Sequence, residues 1–504
     1  MALSKELVKH MTEPELKLLV NQFGKKNSKE KKLLCLTIDN PDAEKNDNMM
    51  ELYGSLKKHG YDDLQKRLTA TIENFLIQDI NTDVYGPVGP VIGAILLANK
   101  MSIRKASKLM RHYCLKAEYL ALQHRMYPIL ENIYSFQVQH ILWLDLDLEE
   151  VLEKKRKNKI LADQLRKMDE AISTMQFETL RIKQRGEDLD PETVIQHTLS
   201  QFELSKEEID NPAFQLRIMT VFRSAMLFTK DYFKLESLLV SKYEELEKAG
   251  SFVKGDNEIR LAFIYMISHA YYRNRKFPAV FTNLANMKSY LPGGQGEISL
   301  YHLKYHSLNA AALAYSGKNT EAIEILENII TRKPREHRMS EWYNIELATA
   351  VYHFHAADYK KVKQIISRLW QMDPDMEEWM GKEWCFKRDL IGVIAWFDYG
   401  DIDFALALIG KLNKTYGEFL KLSKNANAES FVNYIGKVIQ NPDIIKDADF
   451  RASVKMSALT WENQQDDLQA MAFFMWLKSK ILKCDYYELL VAEMNGVGDA
   501  AFRK

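Results

Sequence analysis

The sequence has 504 residues, of which 46% are hydrophobic and 27% charged, so it can form several domains with large cores. Its 12 prolines and 21 glycines are together about half the usual share, which argues against an all-β protein and against glycine-rich phosphate loops. The 69 Lys and Arg residues balance the 69 Asp and Glu residues, so the chain has no net charge to attract nucleic acid or an anionic membrane.

The expected compartment follows from patterns that the sequence lacks. Charges interrupt Met1–Leu19, which has no apolar core of the kind a secretory signal needs. The longest strongly apolar stretch, Val91–Ala98, is too short to span a membrane. The four cysteines are scattered, which favours isolated reduced thiols over a disulfide framework or a zinc site. We therefore expect a cytoplasmic protein with no membrane partner.

Helical periodicity begins at the N-terminus. Residues 1–84 are predicted to form a helical segment, in which Leu52–Ile77 indicates two helices that meet at Gly60. Two prolines and three glycines in Tyr85–Gly93 then predict a hinge-like link.

Residues 85–215 are predicted to form irregular helical hairpins. Ala106 is expected where the two helices of the first hairpin touch. In Leu148–Gln184, acidic residues come first, basic residues follow, and apolar residues recur every three or four positions. This pattern predicts one long amphipathic helix. The next helix is predicted to start at Asp190-Pro191.

One pattern recurs in residues 216–420. A helix rich in alanine and aromatic residues ends in a short polar turn, and a second amphipathic helix follows. The predicted turns are Arg275, Gly317, Ala357 and Gly400, with a weaker copy turning near Lys230. Five positions after the four clear turns come Val280, Ala322, Val362 and Ala405, and twelve positions before the first three of these come Ser268, Ala310 and Ala350. Three copies end at Pro292, Pro334 and Pro374, which gives a period of about 41 residues.

The fold class follows from this repetition. One helical hairpin cannot cover its own apolar faces, so neighbouring hairpins must stack. In the copy at Ala322, the residues Leu326, Ile329 and Ile330 continue an apolar stripe, which we expect to be core. The chain is therefore predicted to be all-α, a right-handed α-solenoid that follows an N-terminal helical segment. Residues 421–504 are predicted to form a C-terminal helical cap, with a helix start near Asp485.

The repeats resemble tetratricopeptide repeats. Tyr305–Pro334 carries the motif most fully, with a small first-helix residue, a turn glycine, a small second-helix residue and a final proline. The period is longer than the usual one of about 34 residues, which indicates longer helices or links. The resemblance implies stacked helical hairpins whose first helices line a concave surface.

Most of the chain also resembles a family of uncharacterised bacterial tetratricopeptide-like proteins. The matching features are an N-terminal helical element, LYGSLKKHGYDDLQKRL, and a C-terminal Trp-Leu-x-x-Lys element formed by Trp476, Leu477 and Lys480. This second resemblance implies no particular activity.

Two surfaces are candidates for function. If the first helices line a concave face, its exposed positions include Tyr265, His269, Tyr272, Arg273, Lys304, Tyr315, Phe354 and His355. Aromatic residues and Arg are enriched in the energetically important parts of protein interfaces. The simpler interpretation is that these aromatic residues only pack between helices.

The second candidate surface is basic. Arg104, Lys108 and Arg111 are spaced to share one helical face, and no acidic residue occurs between Lys100 and Lys116. Such a face could bind nucleic-acid phosphates, although a solvated helix face is its simpler interpretation.

Catalytic and metal-binding patterns are weak. His302 and His306 share a helical face, but no acidic residue accompanies them, and packing is the more economical role. Neither Tyr85–Gly93 nor the segment PGGQG matches a nucleotide-binding loop. We therefore expect a non-enzymatic scaffold without cofactor or metal that binds a peptide or helix of another protein. The alternative is a regulatory protein associated with nucleic acid or the ribosome through the basic face.

Overall fold

The computed structural model describes most of the chain: residues 3–9, 11, 13–23, 28–40, 43–56, 58–79, 88–185, 190–229, 231–253, 256–291, 300–331, 339–371, 376–421, 426–462 and 468–496. Every regular element in these ranges is helical, so the predicted all-α class is confirmed for them. No helix within them is long and apolar enough to cross a membrane.

The chain forms two compact units, residues 1–165 and 166–504. None of the predicted segment boundaries, at residues 84, 215 and 420, falls at this division. The first unit contains α1 Leu3–Lys9, α2 Glu13–Gln22, α3 Lys29–Asp39, α4 Lys45–Tyr53, α5 Lys58–Asp79, α6 Val88–Ile103, α7 Ser107–Gln123, α8 Tyr127–Gln139, α9 Ile141–Leu144 and the start of α10 Leu148–Arg185.

The second unit continues from within α10. Its helices are α11 Pro191–Gln201, α12 Lys206–Ile209, α13 Pro212–Thr229, α14 Tyr232–Lys248, α15 Asn257–Arg273, α16 Phe277–Tyr290, α17 Leu300–Tyr315, α18 Asn319–Ile330, α19 Met339–His355, α20 Tyr359–Gln371, α21 Met376–Met380, α22 Lys382–Asp398, α23 Ile402–Leu420, α24 Ala426–Gln440, α25 Ala448–Glu462, α26 Leu468–Leu482 and α27 Tyr486–Met494, with a 3-10 turn at Pro442–Lys446.

Two breaks predicted near the N-terminus are wrong. Gly60 lies inside α5, and the chain turns instead at Gly54, whose φ of +65° ends α4 in the left-handed conformation that glycine adopts without strain. The predicted hinge overlaps α6, which starts at Val88, because a proline such as Pro90 is tolerated in the first turn of a helix. Residues 85–87 lie outside the described residues.

The first hairpin is formed by α6 and α7, but Ala106 is not its contact residue. The left-handed turn residue is Lys105, so the position five residues later is Met110, which is 2% exposed. Ala106 instead precedes the first turn of α7 and is only partly buried. The prediction failed because a lysine in the left-handed conformation carries no sequence signal.

The long charged helix is confirmed as α10. At its start, Asp147 Oδ1 accepts a hydrogen bond of 2.8 Å from the Glu150 backbone N–H. The predicted helix start at Asp190-Pro191 is also correct, because Asp190 accepts the Thr193 N–H and Pro191 begins α11.

All four clear hairpins form where the sequence predicts them: α15 with α16, α17 with α18, α19 with α20, and α22 with α23. Their turns have positive φ, at Arg275 (+59°), Gly317 (+93°), Ala357 (+57°) and Gly400 (+95°). After each turn residue, the next backbone N–H donates to a carbonyl five residues earlier, at 2.9–3.0 Å. These bonds satisfy carbonyls that the end of the first helix would leave unpaired.

The small residues of the hairpins are buried as predicted. Val280, Ala322, Val362 and Ala405 are 0% exposed, and so are Ser268, Ala310 and Ala350. The stripe of Leu326 and Ile329 is also core. The weak turn at Lys230 and the prolines Pro292, Pro334 and Pro374 lie outside the described residues.

The turns lead to a stability prediction. Gly317→Ala should lower the free energy of unfolding by about 1 kcal/mol, because alanine is strained at positive φ, and Ala357→Gly should raise it by a smaller amount. Gly410→Ala is the matched control. Gly410 is helical and an added Cβ would meet open space, so this substitution should stabilise the protein. Urea midpoints measure all three, and destabilisation by Ala357→Gly would contradict the turn geometry.

Candidate functional site

A row of aromatic rings connects the first helices of three hairpins. On α15, the rings of Tyr265 and His269 lie 6.2 Å apart, and those of His269 and Tyr272 lie 6.3 Å apart. Their spacing of four and three residues places them on one helical face. Tyr272 then meets Tyr315 of α17 at 6.1 Å, and Tyr315 meets His355 of α19 at 5.6 Å. Five of the predicted groove residues therefore form one continuous row.

The other three predicted groove residues have different surroundings. The Lys304 ammonium lies 5.0 Å from the centre of the Tyr265 ring, beside the row. Arg273 points toward α14, where its guanidinium lies 4.5 Å over the Tyr232 ring and bonds the Tyr232 hydroxyl. Phe354 packs against Tyr486 of α27, with ring centres 5.2 Å apart.

A cavity of about 390 Å³ adjoins the row. Its walls come from α15, α17, α19, α21 and α22, and are Tyr272, Tyr315, Asn344, Leu347, Ala348, Val351, Tyr352, Met380, Glu383, Trp384 and Lys387. Lys387 and Glu383 form an ion pair of 2.9 Å. The Trp384 Nε1–H is buried and has no hydrogen-bond acceptor among the described residues. A buried indole N–H normally finds an acceptor, so this N–H is a polar group that the described residues leave unsatisfied.

The sequence predicted only Tyr272 and Tyr315 of this cavity. Trp384 was missed because the link between α20 and α22 contains an additional short helix, α21. The repeat pattern therefore did not predict which residues of α22 lie on its inner face. The position of Trp384 near the start of α22, the first helix of its hairpin, was the sequence feature that could have indicated a place on the inner face.

Burial changes the acid–base properties of the row. Loss of hydration raises the pKa of Tyr265 to about 12, with a smaller contribution from Glu341. The same cause lowers the pKa of Lys304, against the opposing effect of Glu341.

Three of the eight predicted groove residues are buried, and the other five are partly buried. Tyr315 and Phe354 are 3% exposed and His355 is 4% exposed, so the expectation that they face solvent is wrong. Tyr315 is buried except where it forms part of the cavity wall. Phe354 and His355 are covered because the C-terminal helix packs on them, a contact between residues more than 100 positions apart.

The covering element is the C-terminal strap, residues 472–494 of α26 and α27. The Asp398 carboxylate, at the end of α22, accepts hydrogen bonds of 2.7 Å from Trp476 Nε1 and from Lys480 Nζ. Its side chain is only 3% exposed. The four-residue spacing of Trp476 and Lys480 places both donors on one face of α26, which explains the Trp-Leu-x-x-Lys element structurally.

The strap then continues along the turns of earlier hairpins. The Tyr487 hydroxyl donates to the Ala314 carbonyl at 2.6 Å. A Cβ on Gly317 would lie 3.6 Å from Val491. Burial lowers the pKa of Arg275, the turn residue of the α15–α16 hairpin, and nearby Glu493 opposes this shift. The strap therefore reaches from the end of α22 to the turn of the α15–α16 hairpin.

His355 is enclosed between the row and the strap. Its ring contacts Tyr315, Tyr352, Tyr486 and Tyr487, with centres 5.5–5.7 Å apart. Neither ring nitrogen has a hydrogen-bond partner among the described residues. Burial lowers its pKa to about 3. The imidazole is therefore neutral at pH 7 and acts as a packing group.

The basic candidate face is only partly a helical stripe. Lys108 and Arg111 are exposed on α7, whereas Arg104 lies in the turn after α6. Arg111 Nη1 lies 3.5 Å from Asp145 Oδ2, so this cation is paired with an acid.

The described residues contain no group of three or more His, Cys, Asp or Glu side chains arranged to hold a metal ion. His302 and His306 are both partly buried on α17. No family model, curated protein or solved structure matches this chain.

The strap gives a second prediction. Asp398→Asn should lower the free energy of local opening of α26 by about 1.5–3 kcal/mol. Asn has no charge and only one acceptor oxygen, so it cannot make both charge-assisted bonds to Trp476 and Lys480. Hydrogen exchange should become faster in α26 and α27 but not in α15–α18. Asp443→Asn removes an exposed carboxylate and should leave exchange in the strap unchanged. Unchanged protection in Asp398→Asn would show that the bonds to Asp398 do not hold the strap.

His355 gives a third prediction, on pH. Its pKa in the folded chain is below the ordinary value of 6.5, so the unfolded chain takes up the proton first and stability falls as pH drops from about 6.5 toward 3. Between pH 7 and pH 5, wild type should lose about 2 kcal/mol more than His355→Phe. Urea unfolding at both pH values measures this difference. His124→Phe, at an exposed histidine, should behave as wild type, and equal losses in all three proteins would contradict the prediction.

Proposed function

We propose that this chain is a cytoplasmic, non-enzymatic scaffold that binds a peptide or helix of another protein. Its second unit would be a tetratricopeptide-like α-solenoid with a period of about 41 residues. This arrangement is supported by four hairpins that each have a left-handed turn and a small buried residue five positions after it. It is also supported by contacts between successive first helices, α15 with α17, α17 with α19, and α19 with α22.

The cavity on these first helices carries the proposal. Four of its wall residues, Tyr272, Tyr315, Tyr352 and Trp384, are aromatic, and Leu347, Val351 and Met380 add apolar surface. Aromatic walls around a concave site favour an apolar side chain of a partner, since such anchors provide most of the binding energy of an interface.

The polar groups of the cavity suit a peptide as the ligand. Asn344 can both donate and accept, and a small movement of the Trp384 ring would let its buried Nε1–H donate to a backbone carbonyl. Glu383 and Lys387 neutralise each other, so the site does not require a charged ligand. A partner segment with an apolar anchor and an accessible backbone carbonyl would satisfy these groups.

The alternative is binding of nucleic acid or the ribosome through Arg104, Lys108 and Arg111. Exposure of all three side chains favours it. The ion pair of Arg111 with Asp145 weighs against it, because the acid reduces the local positive potential.

The fourth prediction tests the cavity with a defined probe. A random 12-residue peptide library is selected on the full chain, and the best peptide is measured by fluorescence polarisation. Tyr272→Ala should weaken binding about 30-fold, because part of the aromatic wall around the partner's anchor is lost. Trp384→Phe should weaken it about 2- to 10-fold, because the ring remains and only the N–H is removed.

Tyr399→Ala is the matched control, since Tyr399 is exposed and outside the cavity wall. Equal affinities in all variants would place the peptide elsewhere and contradict the proposal. The same variants, together with a triple variant of the basic face, are measured with a labelled single-stranded RNA. Tight RNA binding that falls steeply with salt and is lost in Arg104→Glu/Lys108→Glu/Arg111→Glu would favour the alternative.

A further inference from the structure

One side of α7 is left exposed by the rest of the described chain. Along it lie Lys108, Arg111, Leu115, Tyr119 and Leu122, whose spacing of three or four residues places them on one helical face. All five side chains are exposed, and the three apolar ones are 38%, 60% and 50% exposed in that order. We call these five residues the α7 face.

The opposite side of α7 fixes the position of this face. Met110, Cys114, Ala117 and Ala121 are at most 2% exposed, and they pack in one apolar core with residues of α6 and α8. The α7 face is therefore presented by a helix that the core of the first unit holds in place, so no rearrangement is needed to expose it.

Exposed apolar residues are concentrated on the hairpin of α6 and α7. Of the 25 large hydrophobic residues that are exposed in the described part of the chain, five lie on α6 and four on α7. Leu115, Tyr119 and Leu122 follow one another on a single face, and contiguous exposed apolar surface is typical of a binding site.

The α7 face is basic at one end and apolar at the other. Lys108 and Arg111 belong to the first half of the helix, and the three apolar residues belong to the second half. Glu118, the one acidic residue of α7, is 6% exposed, and its carboxylate accepts a hydrogen bond of 2.7 Å from Gln137. Arg111 lies 3.5 Å from exposed Asp145, a surface pair that another acid can replace at little cost.

The change from basic to apolar along the helix axis restricts the partner. Lys108 and Leu122 are about 21 Å apart at 1.5 Å per residue. Phosphates repeat along the whole of a nucleic acid, so they would match only the basic half. A bilayer deep enough to take the apolar half would also draw in Arg125, which is exposed three residues after Leu122. A protein helix can match both halves, because its sequence can place acidic residues on one turn and apolar residues on the next.

We propose that the α7 face binds a helix of another protein that carries acidic residues at one end and apolar residues at the other. The acidic end pairs with Lys108 and Arg111, and the apolar end packs on Leu115, Tyr119 and Leu122. The spacing of seven residues from Lys108 to Leu115 and from Leu115 to Leu122 is the repeat with which two helices pack side by side. No residue of the face lines the cavity of the second unit, so this binding goes beyond the proposed peptide binding and does not depend on it.

A library of helical peptides about four turns long tests the proposal on the full chain. Four positions on one face of the peptide are varied among Glu, Lys, Leu and Ser, and the displayed peptides are selected for binding. Enriched peptides should carry Glu at one end of that face and Leu at the other. Selection on Lys108→Glu/Arg111→Glu should enrich Lys in place of Glu at the same end and leave Leu unchanged. Lys66→Glu/Arg67→Glu, an exposed basic pair on α5, is the matched control and should enrich the wild-type peptides.

Fluorescence polarisation with the best peptide tests the apolar half. Leu115→Ser/Leu122→Ser should weaken binding at least tenfold, because two apolar contacts are lost. Leu161→Ser/Leu180→Ser, at residues of α10 that are 41% and 53% exposed, should leave the affinity unchanged. Circular dichroism confirms that each variant is folded. An unlabelled peptide selected for the cavity should not displace the labelled one, which separates this binding from that of the cavity.

Three outcomes overturn the proposal. The first is that no peptide is enriched. The second is an enriched peptide whose affinity the substitutions on α7 do not change. The third is binding of single-stranded RNA or of phosphatidylserine vesicles that is lost in Lys108→Glu/Arg111→Glu while no peptide is enriched, which would assign the basic half to phosphates.

Discussion

The second unit depends on the close approach of paired helices at small, fully buried residues. Ala322 and Val362 on the second helices, and Ala310 and Ala350 on the first helices, are 0% exposed. The left-handed turns Gly317 and Ala357 bring the two helices of these pairs back along each other at that distance. A larger or charged side chain at the contact would separate the helices, and the apolar stripes on their outer faces would no longer meet the neighbouring hairpin.

The C-terminal strap holds successive hairpins together at their turns. Asp398 fixes α26 through Trp476 and Lys480, and Tyr487 reaches the carbonyl of Ala314 at the end of α17. Stacked hairpins held only by neighbour contacts lose order from their ends, because each hairpin is stabilised by adjacent hairpins alone. Contacts between residues as distant as Ala314 and Tyr487 add a restraint that nearest-neighbour stacking lacks.

The same strap restricts the surface that would be available to the proposed peptide. By covering Phe354 and His355 it closes one end of the aromatic row and leaves the cavity near Trp384 as the accessible part. The cavity combines aromatic walls with an indole donor that has no acceptor among the described residues.

The sequence by itself determined the all-α class, the bounds of α10 and the four turns at Arg275, Gly317, Ala357 and Gly400, because these depend on the order of residues along one or two helices. It also placed Tyr265, His269 and Tyr272 on one face, since that spacing is a property of a single helix. Only the tertiary structure decided that His355 is buried and that Trp384 lines the cavity. Each of these depends on which distant helix packs on the residue, and local periodicity carries no information about that partner.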